Sequence, residues 1–561
     1  MVVNRSAGKA KKFGLVTALT AAATLVGATY ATSALADGPM VAKSAPMAYA
    51  PPPTASCGSA YDFFFTKCPL TWYGVTVYGT VDLGGTYQTH GTPFDRNFPT
   101  GASYLVGGGG TNATNRNAGF GLGPNGLSQS NVGVKIVEPI APGGWSFIAQ
   151  GELAYDPYSL LLANAPQAMQ NGIGVPENQQ LLPIDSSRWG WLNTNQYVGF
   201  SQPVYGTLTF GRQNTLETDG IGAYDPMGGS YAFSAIGFSG KTAGAGDTED
   251  ARWTTAIKYR ENIGDFRLSA MAQPLGLWSN NGGLGAYNPN NGAVTGGIGG
   301  DIKHGMPGVI SWDLIGTYEK DAVNIGTTFV GQGTTNGWPT TFPGGAASGL
   351  KATLSNNLAG MALLKWNFGS WGNSSAPIVG KGPVVPSGPT GIPLTLYAGY
   401  ELIQFSNPSD PQSAFRDDGF LFTDPSAGGL HGAALTAAGT AINNNGFNVS
   451  CGTGTGCNNE ILQIVWTGAK YGITRDLDII GAYYHYIQGQ YVNGAGICAN
   501  TAAHSQCAGW LDVYSMVLDW RFLPKWDAYI GTMYSAAFGG IANGDIARNN
   551  LATTAGVRFR F

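Results

Sequence analysis

Charged residues are scarce in this chain of 561 residues, because aspartate, glutamate, lysine and arginine together make up only 11% of it. Soluble globular proteins carry about 25%. A soluble chain of this length would form about two to four domains, and this one lacks the charges to give them a hydrated surface. The mean hydropathy of −0.03 is nevertheless too polar for a bundle of membrane helices.

Long apolar runs are almost absent as well. One occurs, FGLVTALTAAATLVGAT, between four basic residues within the first twelve positions and the small-residue motif Ala34-Leu35-Ala36. We interpret residues 1–36 as a secretory signal peptide that is cleaved before Asp37; a retained membrane helix is the alternative. Cleavage would remove four positive charges and no acidic residue, so the formal net charge of −4 would become −8. This acidic balance predicts no nucleic-acid partner.

No later segment reaches the roughly 18 apolar residues that a spanning helix needs. Export without membrane helices leaves two classes, a soluble β-protein and an outer-membrane β-barrel. The chain contains 86 Gly, 14 Trp, 26 Tyr and 25 Phe, and this glycine-rich, aromatic-rich composition favours the barrel. Residues 37–70 are rich in proline and alanine at their start, which predicts an extended tether before a barrel at 71–561.

Histidine and cysteine are also rare, at five and six residues. The histidines are scattered and no CxxC motif occurs, so we expect neither a metal site nor a cofactor. The cysteines lie in three sequence-local pairs, which in an exported chain predicts three disulfides. The first would close the segment before the first strand and the others would staple external loops. The predicted pairs are Cys57 with Cys68, Cys451 with Cys457, and Cys498 with Cys507.

What the chain does contain is period-two alternation. In its last residues, AGVRFRF, the apolar Val557, Phe559 and Phe561 share one parity, whereas Arg558 and Arg560 share the other. In a β-strand these sets point to opposite faces. A barrel would turn the apolar set toward lipid and the guanidiniums toward a wet lumen. Such a strand would close against the first one and leave no open edge in the membrane.

The same alternation returns in hairpins such as NVGVKI with WSFIAQGEL, NQYVGF with TLTFGR, and VYSMVLDWRF with WDAYIGTMY. Short turns join these arms, and long glycine- and asparagine-rich segments separate the hairpins. This asymmetry is typical of outer-membrane barrels. We predict an all-β, antiparallel barrel of about 16 strands, with 18 as the alternative because the turn in 320–391 must be unusually long. The long external segments include 88–128, 156–193, 214–250 and 405–459.

Three blocks resemble one known family. The ending GVRFRF, the hairpin VGVKIVEPIAPGGWSFIAQGE and the arms QYVGFSQPVYGTLTFGRQNT are similar, in this order, to segments of the Gram-negative general porins. This resemblance implies a 16-stranded barrel, a homotrimer in outer-membrane lipid, and passive diffusion of small hydrophilic solutes. It also implies that loop 214–250 folds inward as a constriction. The apolar end, Val557, Phe559 and Phe561, resembles the signal that the barrel-assembly machinery recognises.

The charges predict a transverse field at this constriction, with acids on the loop opposite bases on the wall. Lys135, Lys258 and Arg260 have lumen-facing parity. Arg212 shares its parity with the apolar Leu208 and would face lipid, unless a bulge at Gly211 reverses the register. The expected constriction residues are Glu217, Asp219 and Asp225 on the loop, and Lys135, Arg212, Arg252, Lys258 and Arg260 on the wall.

Two other functions stay open. A substrate-specific channel for a sugar or organic acid would need a continuous track of aromatic side chains along the lumen. An outer-membrane barrel enzyme could use His485, but no nucleophile motif accompanies that histidine, so we expect no catalytic site.

Overall fold

A computed structural model shows a closed antiparallel β-barrel. It describes residues 57–90, 118–158 with 160 and 162, 194–236, 252–273, 293–326, 351–371, 389–406, 460–490 with 496, 497 and 499, 507–540 and 548–561. The expected signal peptide and the remaining parts of the long loops lie outside these residues. None of the helices among the described residues is long and apolar enough to cross a membrane.

The described residues contain eighteen strands and two helices. The helices are α1 (Ala60–Phe65) and α2 (Leu216–Tyr224). The strands are β1 (Leu70–Trp72), β2 (Val75–Gln88), β3 (Gly119–Leu122), β4 (Asn131–Ala141), β5 (Trp145–Ala154), β6 (Gln196–Gln202), β7 (Gly206–Asn214), β8 (Arg252–Ile263), β9 (Phe266–Gln273), β10 (Ala293–Ile302), β11 (Val309–Gly326), β12 (Lys351–Trp371), β13 (Pro389–Ser406), β14 (Glu460–Gly472), β15 (Leu477–Gln488), β16 (Gly509–Leu523), β17 (Trp526–Gly539) and β18 (Asn549–Arg560).

Sixteen of the strands form the barrel wall, as predicted. Each pairs with its neighbour along the chain, and β18 closes against β2 from Ala552 opposite Gln88 to Arg560 opposite Thr80. The short β1 and β3 add no further crossing, because they only complete the two sides of β2 beyond the ends of β18 and β4. The connection at 372–388, inside the stretch expected to hold a long turn, lies outside the described residues.

Two rows of aromatic side chains mark the outer surface of the wall. In β16, Trp510 and Trp520 face outward ten residues apart, and Trp510 stacks on Phe538 at 5.1 Å. Ten residues span about 33 Å of strand, which a strand tilt of about 40° reduces to about 25 Å, the height of the apolar band of outer-membrane barrels. Leu518 and Met516, which face outward between them, are exposed. The row near the turns includes Trp145, Phe147, Phe200, Phe266, Trp366, Phe368, Trp520, Phe522 and Trp526.

The last strand follows the alternation of its sequence. Arg558 and Arg560 face inward, and both guanidiniums form ion pairs with Asp527 at 2.8 Å. The outward rings of Phe559 and Phe561 differ from the expectation, because they do not face lipid directly. The ring of Phe63 in α1 lies 5.5 Å and 5.3 Å from them.

Helix α1 also changes the interpretation of the segment before the barrel. The sequence predicts an extended tether over 37–70 with a disulfide between Cys57 and Cys68. Its described part, 57–70, contains this disulfide, but it also contains α1, which was not predicted. Ser59 caps the helix by accepting a hydrogen bond from the backbone N–H of Asp62 at 3.1 Å. The Pro/Ala composition of the preceding residues does not reach this part, where Phe63 and Phe64 pack on the barrel.

Candidate functional site in the barrel lumen

The segment after β7 folds into the barrel. We call residues 215–236 the inner loop; it begins with α2, whose first turn carries Glu217 and Asp219. Thr215 is the N-cap, since its hydroxyl accepts a hydrogen bond from the N–H of Thr218 at 3.3 Å. A threonine cap followed by acidic residues suits the positive end of a helix. The sequence therefore starts a short helix where the chain leaves the wall.

The inner loop then follows the wall from β8 to β17. Lys365 of β12 donates to the carbonyl of Ala223 at 3.0 Å, and the indole N–H of Trp466 in β14 donates to the carbonyl of Tyr224 at 3.3 Å. Further along, Tyr486 of β15 donates to the carbonyl of Ala235 at 2.9 Å. These contacts satisfy backbone carbonyls that would otherwise be buried without a partner.

Apolar packing holds the loop against this arc. Ile221, Phe233 and Ile236 of the loop are at most 3% exposed, and so are Leu363 and Val513 of the wall. Burial of such a side chain contributes about 1.5–3 kcal/mol. The wall strands here are apolar on both faces, because one face meets lipid and the other meets the inner loop. The apolar cluster inside the barrel is therefore a small core that fixes the position of the loop.

The three predicted acidic residues are all turned toward the wall. Glu217 is 2% exposed and accepts a hydrogen bond from Thr295 of β10 at 2.8 Å. Asp225 is 3% exposed and accepts from the hydroxyl of Tyr484 at 2.6 Å and from the N–H of Gly229 at 2.7 Å. Burial raises the pKa of both carboxyl groups above their ordinary values.

Asp219 contacts the predicted bases directly. Its carboxylate forms ion pairs with both Lys258 and Arg260 of β8. Lys258 also donates to the backbone carbonyl of Asn214 at 2.7 Å. The expected field, with these charges facing each other across open space, is therefore corrected: the loop starts beside β8 rather than opposite it, and the carboxylate offsets one of the two positive charges locally.

The remaining predicted bases lie along the other strands of the wall. A register shift between Gly211 and Gln213, with a φ of 130° at Gly211, is the bulge expected from the parity of Arg212. Arg212 is buried. Leu208 and Phe210, whose face Arg212 would share without the bulge, are exposed outward. Arg252, the first residue of β8, is also buried.

Lys135 belongs to a polar network that the sequence did not reveal. Its ammonium lies 4.9 Å from the ring centre of Tyr78, and that tyrosine donates to Glu152 at 2.7 Å. Gln150 donates to the Tyr78 hydroxyl at 2.7 Å and accepts from Tyr197 at 2.8 Å. All five side chains have inward parity, but only their convergence across β2, β4, β5 and β6 makes them a network. This arc is the part of the wall that the inner loop leaves uncovered.

Small residues form the exposed edge of the inner loop. Within the described part of the loop, Gly222 and Gly228 are exposed and Ala223 is half-buried. A Cβ added at Gly222 or Gly228 would meet no atom within 4 Å, whereas one at Gly220 would lie 2.8 Å from Leu363. The helix thus presses Gly220 against the wall and turns Gly222 toward open space.

The structure places the remaining predicted residues as follows. Cys57 and Cys68 are joined by a disulfide, and Cys507 is also disulfide-bonded. Cys498, Cys451 and Cys457 lie outside the described residues. Val557 faces outward and is 40% exposed, beside the covered Phe559. Over the described ranges, no group of acidic, histidine and cysteine side chains is arranged to hold a metal ion.

A closed sixteen-stranded barrel with a lipid-facing band and an inward loop is the architecture of an outer-membrane channel. The sequence matches the family model described as Gram-negative porin over residues 18–308, more than half of its 561 residues. The chain belongs to this family. It is an outer-membrane porin of a Gram-negative bacterium.

Solved structures of outer-membrane proteins are similar to this chain at low sequence identity. The anion-selective porin from Comamonas acidovorans is 14% identical, with a TM-score of 0.47 over 87% of this chain and 99% of that chain. OmpT, an outer membrane protein of Vibrio cholerae, is 10% identical, with a TM-score of 0.43 over 88% and 99%. OprB of Pseudomonas putida is 11% identical, with a TM-score of 0.43 over 87% and 94%. No protein of curated function matches the sequence.

Proposed function

We propose that this porin passes small hydrophilic solutes and ions by passive diffusion. The observation that carries the proposal is the placement of the inner loop. Its apolar side chains are buried against one arc of the wall, and Gly222, Ala223 and Gly228 border the lumen on the other side. A loop arranged in this way narrows a water-filled barrel without filling it.

The uncovered arc supports general diffusion rather than a dedicated substrate path. Its inward side chains are polar and already bonded to one another, as in the network of Tyr78, Gln150 and Glu152. The large inward aromatics Trp466 and Tyr484 are at most 1% exposed beneath the inner loop. They therefore offer no continuous aromatic track to a sugar or organic acid.

The roles of the predicted constriction residues follow from their contacts. We assign Asp219, Lys258 and Arg260 to anchoring the start of the inner loop, and Glu217 and Asp225 to holding its buried side. Lys135 is the predicted base that remains half-buried on the uncovered arc. Arg212 and Arg252 are buried in the wall, at 6% and 4% exposure.

Liposome swelling tests the proposed function. Purified protein should admit neutral sugars at rates that fall smoothly with molecular size, with no sugar of equal size strongly preferred. Rapid entry of one sugar among several of equal size would favour the substrate-specific channel, and no entry of any sugar would contradict a diffusion pore.

Homotrimer formation is a further part of the proposal. Family membership supports it, and a trimeric form of Vibrio cholerae OmpT has been solved. Cross-linking of the detergent-extracted protein should give a trimer band. We also propose that Val557, Phe559 and Phe561 serve as the signal for the barrel-assembly machinery, since all three lie on the outward face of the closing strand.

The contacts of His485 argue against catalysis on a solute in the lumen. Its Nδ1 lies 2.7 Å from Asp512, which also accepts from Tyr483 at 2.7 Å. These side chains have outward parity, beside the lipid-facing Tyr514 and away from the lumen. The pair lies on the outer surface of the barrel wall, where a soluble substrate has no access.

A further inference from the structure

Residues 57–68, which the Cys57–Cys68 disulfide closes into a loop, are attached to the outside of the barrel at its periplasmic end. We call them the N-terminal loop. Phe63 packs edge-on against Phe559 and Phe561, and Phe64 lies 5.5 Å from Phe559. These two residues of the last strand have outward parity. The loop therefore covers positions that would otherwise face the membrane.

Polar contacts fix the loop to the turn between β16 and β17. Lys525 donates to the carbonyls of Phe63 at 2.9 Å and Cys68 at 3.0 Å. The indole N–H of Trp526 donates to the carbonyl of Phe64 at 2.9 Å. With the disulfide, these bonds hold the loop to two elements that lie far from it in sequence. Its outer surface is thus a fixed part of the barrel surface.

That outer surface is aromatic. Tyr61, Phe64 and Phe65 are 69%, 39% and 43% exposed, whereas Phe63, the remaining ring of the helix, packs on the last strand. The single acid of the helix, Asp62, is turned back to its cap, where it accepts from the Ser59 hydroxyl at 2.8 Å. An exposed aromatic cluster of this kind is unusual on a surface that faces water.

The surrounding surface shows what covers this cluster. Trp526 lies 4.6 Å from Phe559 and 6.5 Å from Phe522, so the rings of the loop continue the aromatic row near the turns. Aromatic rows in membrane proteins lie at the level of the lipid headgroups, because the side chains of tryptophan and tyrosine have an apolar body and a polar tip. The loop has taken the place of Phe559 in this row.

We propose that the N-terminal loop is a membrane-contacting segment, whose Tyr61, Phe64 and Phe65 insert among the phospholipids of the periplasmic leaflet. The loop replaces the lipid that Phe559 and Phe561 would otherwise contact, and the disulfide keeps the rings in the row. A second copy of the chain is the competing occupant of the same surface.

Photocross-linking in phospholipid vesicles distinguishes these occupants. Benzoylphenylalanine is introduced at position 61 or 65 of the full chain, with position 518 on the outer wall as the lipid-facing control and position 223 in the lumen as the water-facing control. Folding of each variant is checked by heat-modifiable migration. After illumination, mass spectrometry should find phospholipid adducts at 61, 65 and 518 and none at 223.

Adducts at 61 and 65 with another protein chain would overturn the proposal, and so would the absence of lipid adducts there when 518 is labelled. Two positions are used because either ring replacement alone could disturb the packing of α1. A second readout is the Phe64→Ser, Phe65→Ser double variant, which should leave single-channel conductance unchanged, since both rings lie outside the lumen.

Discussion

Replacing Asp219 by asparagine tests how the inner loop is anchored. The carboxylate bridges Lys258 and Arg260, whose side chains are 7% and 21% exposed, and is itself 11% exposed. Removing one partner of a buried ion pair costs about 3–5 kcal/mol, because the other charge stays buried without compensation. Lys258 keeps its hydrogen bond to Asn214 and the lumen hydrates Arg260 in part, so we expect the lower end of this range.

The same change should alter ion selectivity. Asp219→Asn leaves two positive charges uncompensated beside the lumen, so reversal potentials in planar bilayers should shift toward anions. The shift should be larger at 0.1 M salt than at 1 M, where the Debye length falls from about 10 Å to about 3 Å. Neutralising Lys258 and Arg260 together should shift the potentials the other way.

Asp265→Asn is the matched control. Asp265 in the turn between β8 and β9 pairs with Lys303 in the turn between β10 and β11, and the two side chains are 50% and 41% exposed. Surface pairs of this kind contribute little. We therefore expect only Asp219→Asn to lower the temperature at which the folded band disappears on unheated gels. Equal midpoints for the two variants, or unchanged reversal potentials in well-assembled Asp219→Asn protein, would refute the anchoring role.

Three further predictions concern other parts of the chain. Because burial raises the native pKa of Glu217 above its ordinary 4.5, its contribution to stability is present at low pH and lost as pH rises through the native pKa; Glu217→Gln should abolish this loss when unfolding midpoints are compared across that range. Deleting Phe561 should reduce membrane assembly, whereas Phe63→Ala, which removes only a ring that packs on it, should leave the yield unchanged; equal yields would count against the assembly signal. Non-reducing peptide mapping should find three disulfides, which link 57 to 68, 451 to 457 and 498 to 507. Free thiols at all six positions would contradict this prediction.

The barrel could be predicted because its pattern is local. Alternation of period two identifies each strand and its two faces, and closure requires no more than the first and last strands. The bulge at Gly211 was predictable for the same reason, because Arg212 shares the parity of lipid-facing residues and an arginine there would cost about 2–4 kcal/mol near the membrane centre.

The site could be predicted only in part, because its contacts join distant segments. The alternation along β8 predicts that Lys258 faces inward. It does not predict that Asp219 lies beside Lys258 rather than across the lumen. That position depends on the apolar packing of Ile221 and Phe233 against strands far along the chain. The cover of Phe559 by Phe63 depends likewise on a contact between the two ends of the sequence.

The central claim is that the inner loop borders an open lumen at Gly222, and one comparison tests it directly. Tryptophan is placed at Gly222 or at Gly360; a Cβ at either site meets no atom within 4 Å, but Gly360 of β12 faces outward. Single-channel conductance should fall clearly for Gly222→Trp and stay at the wild-type value for Gly360→Trp. Equal conductance for the two folded variants would contradict the account.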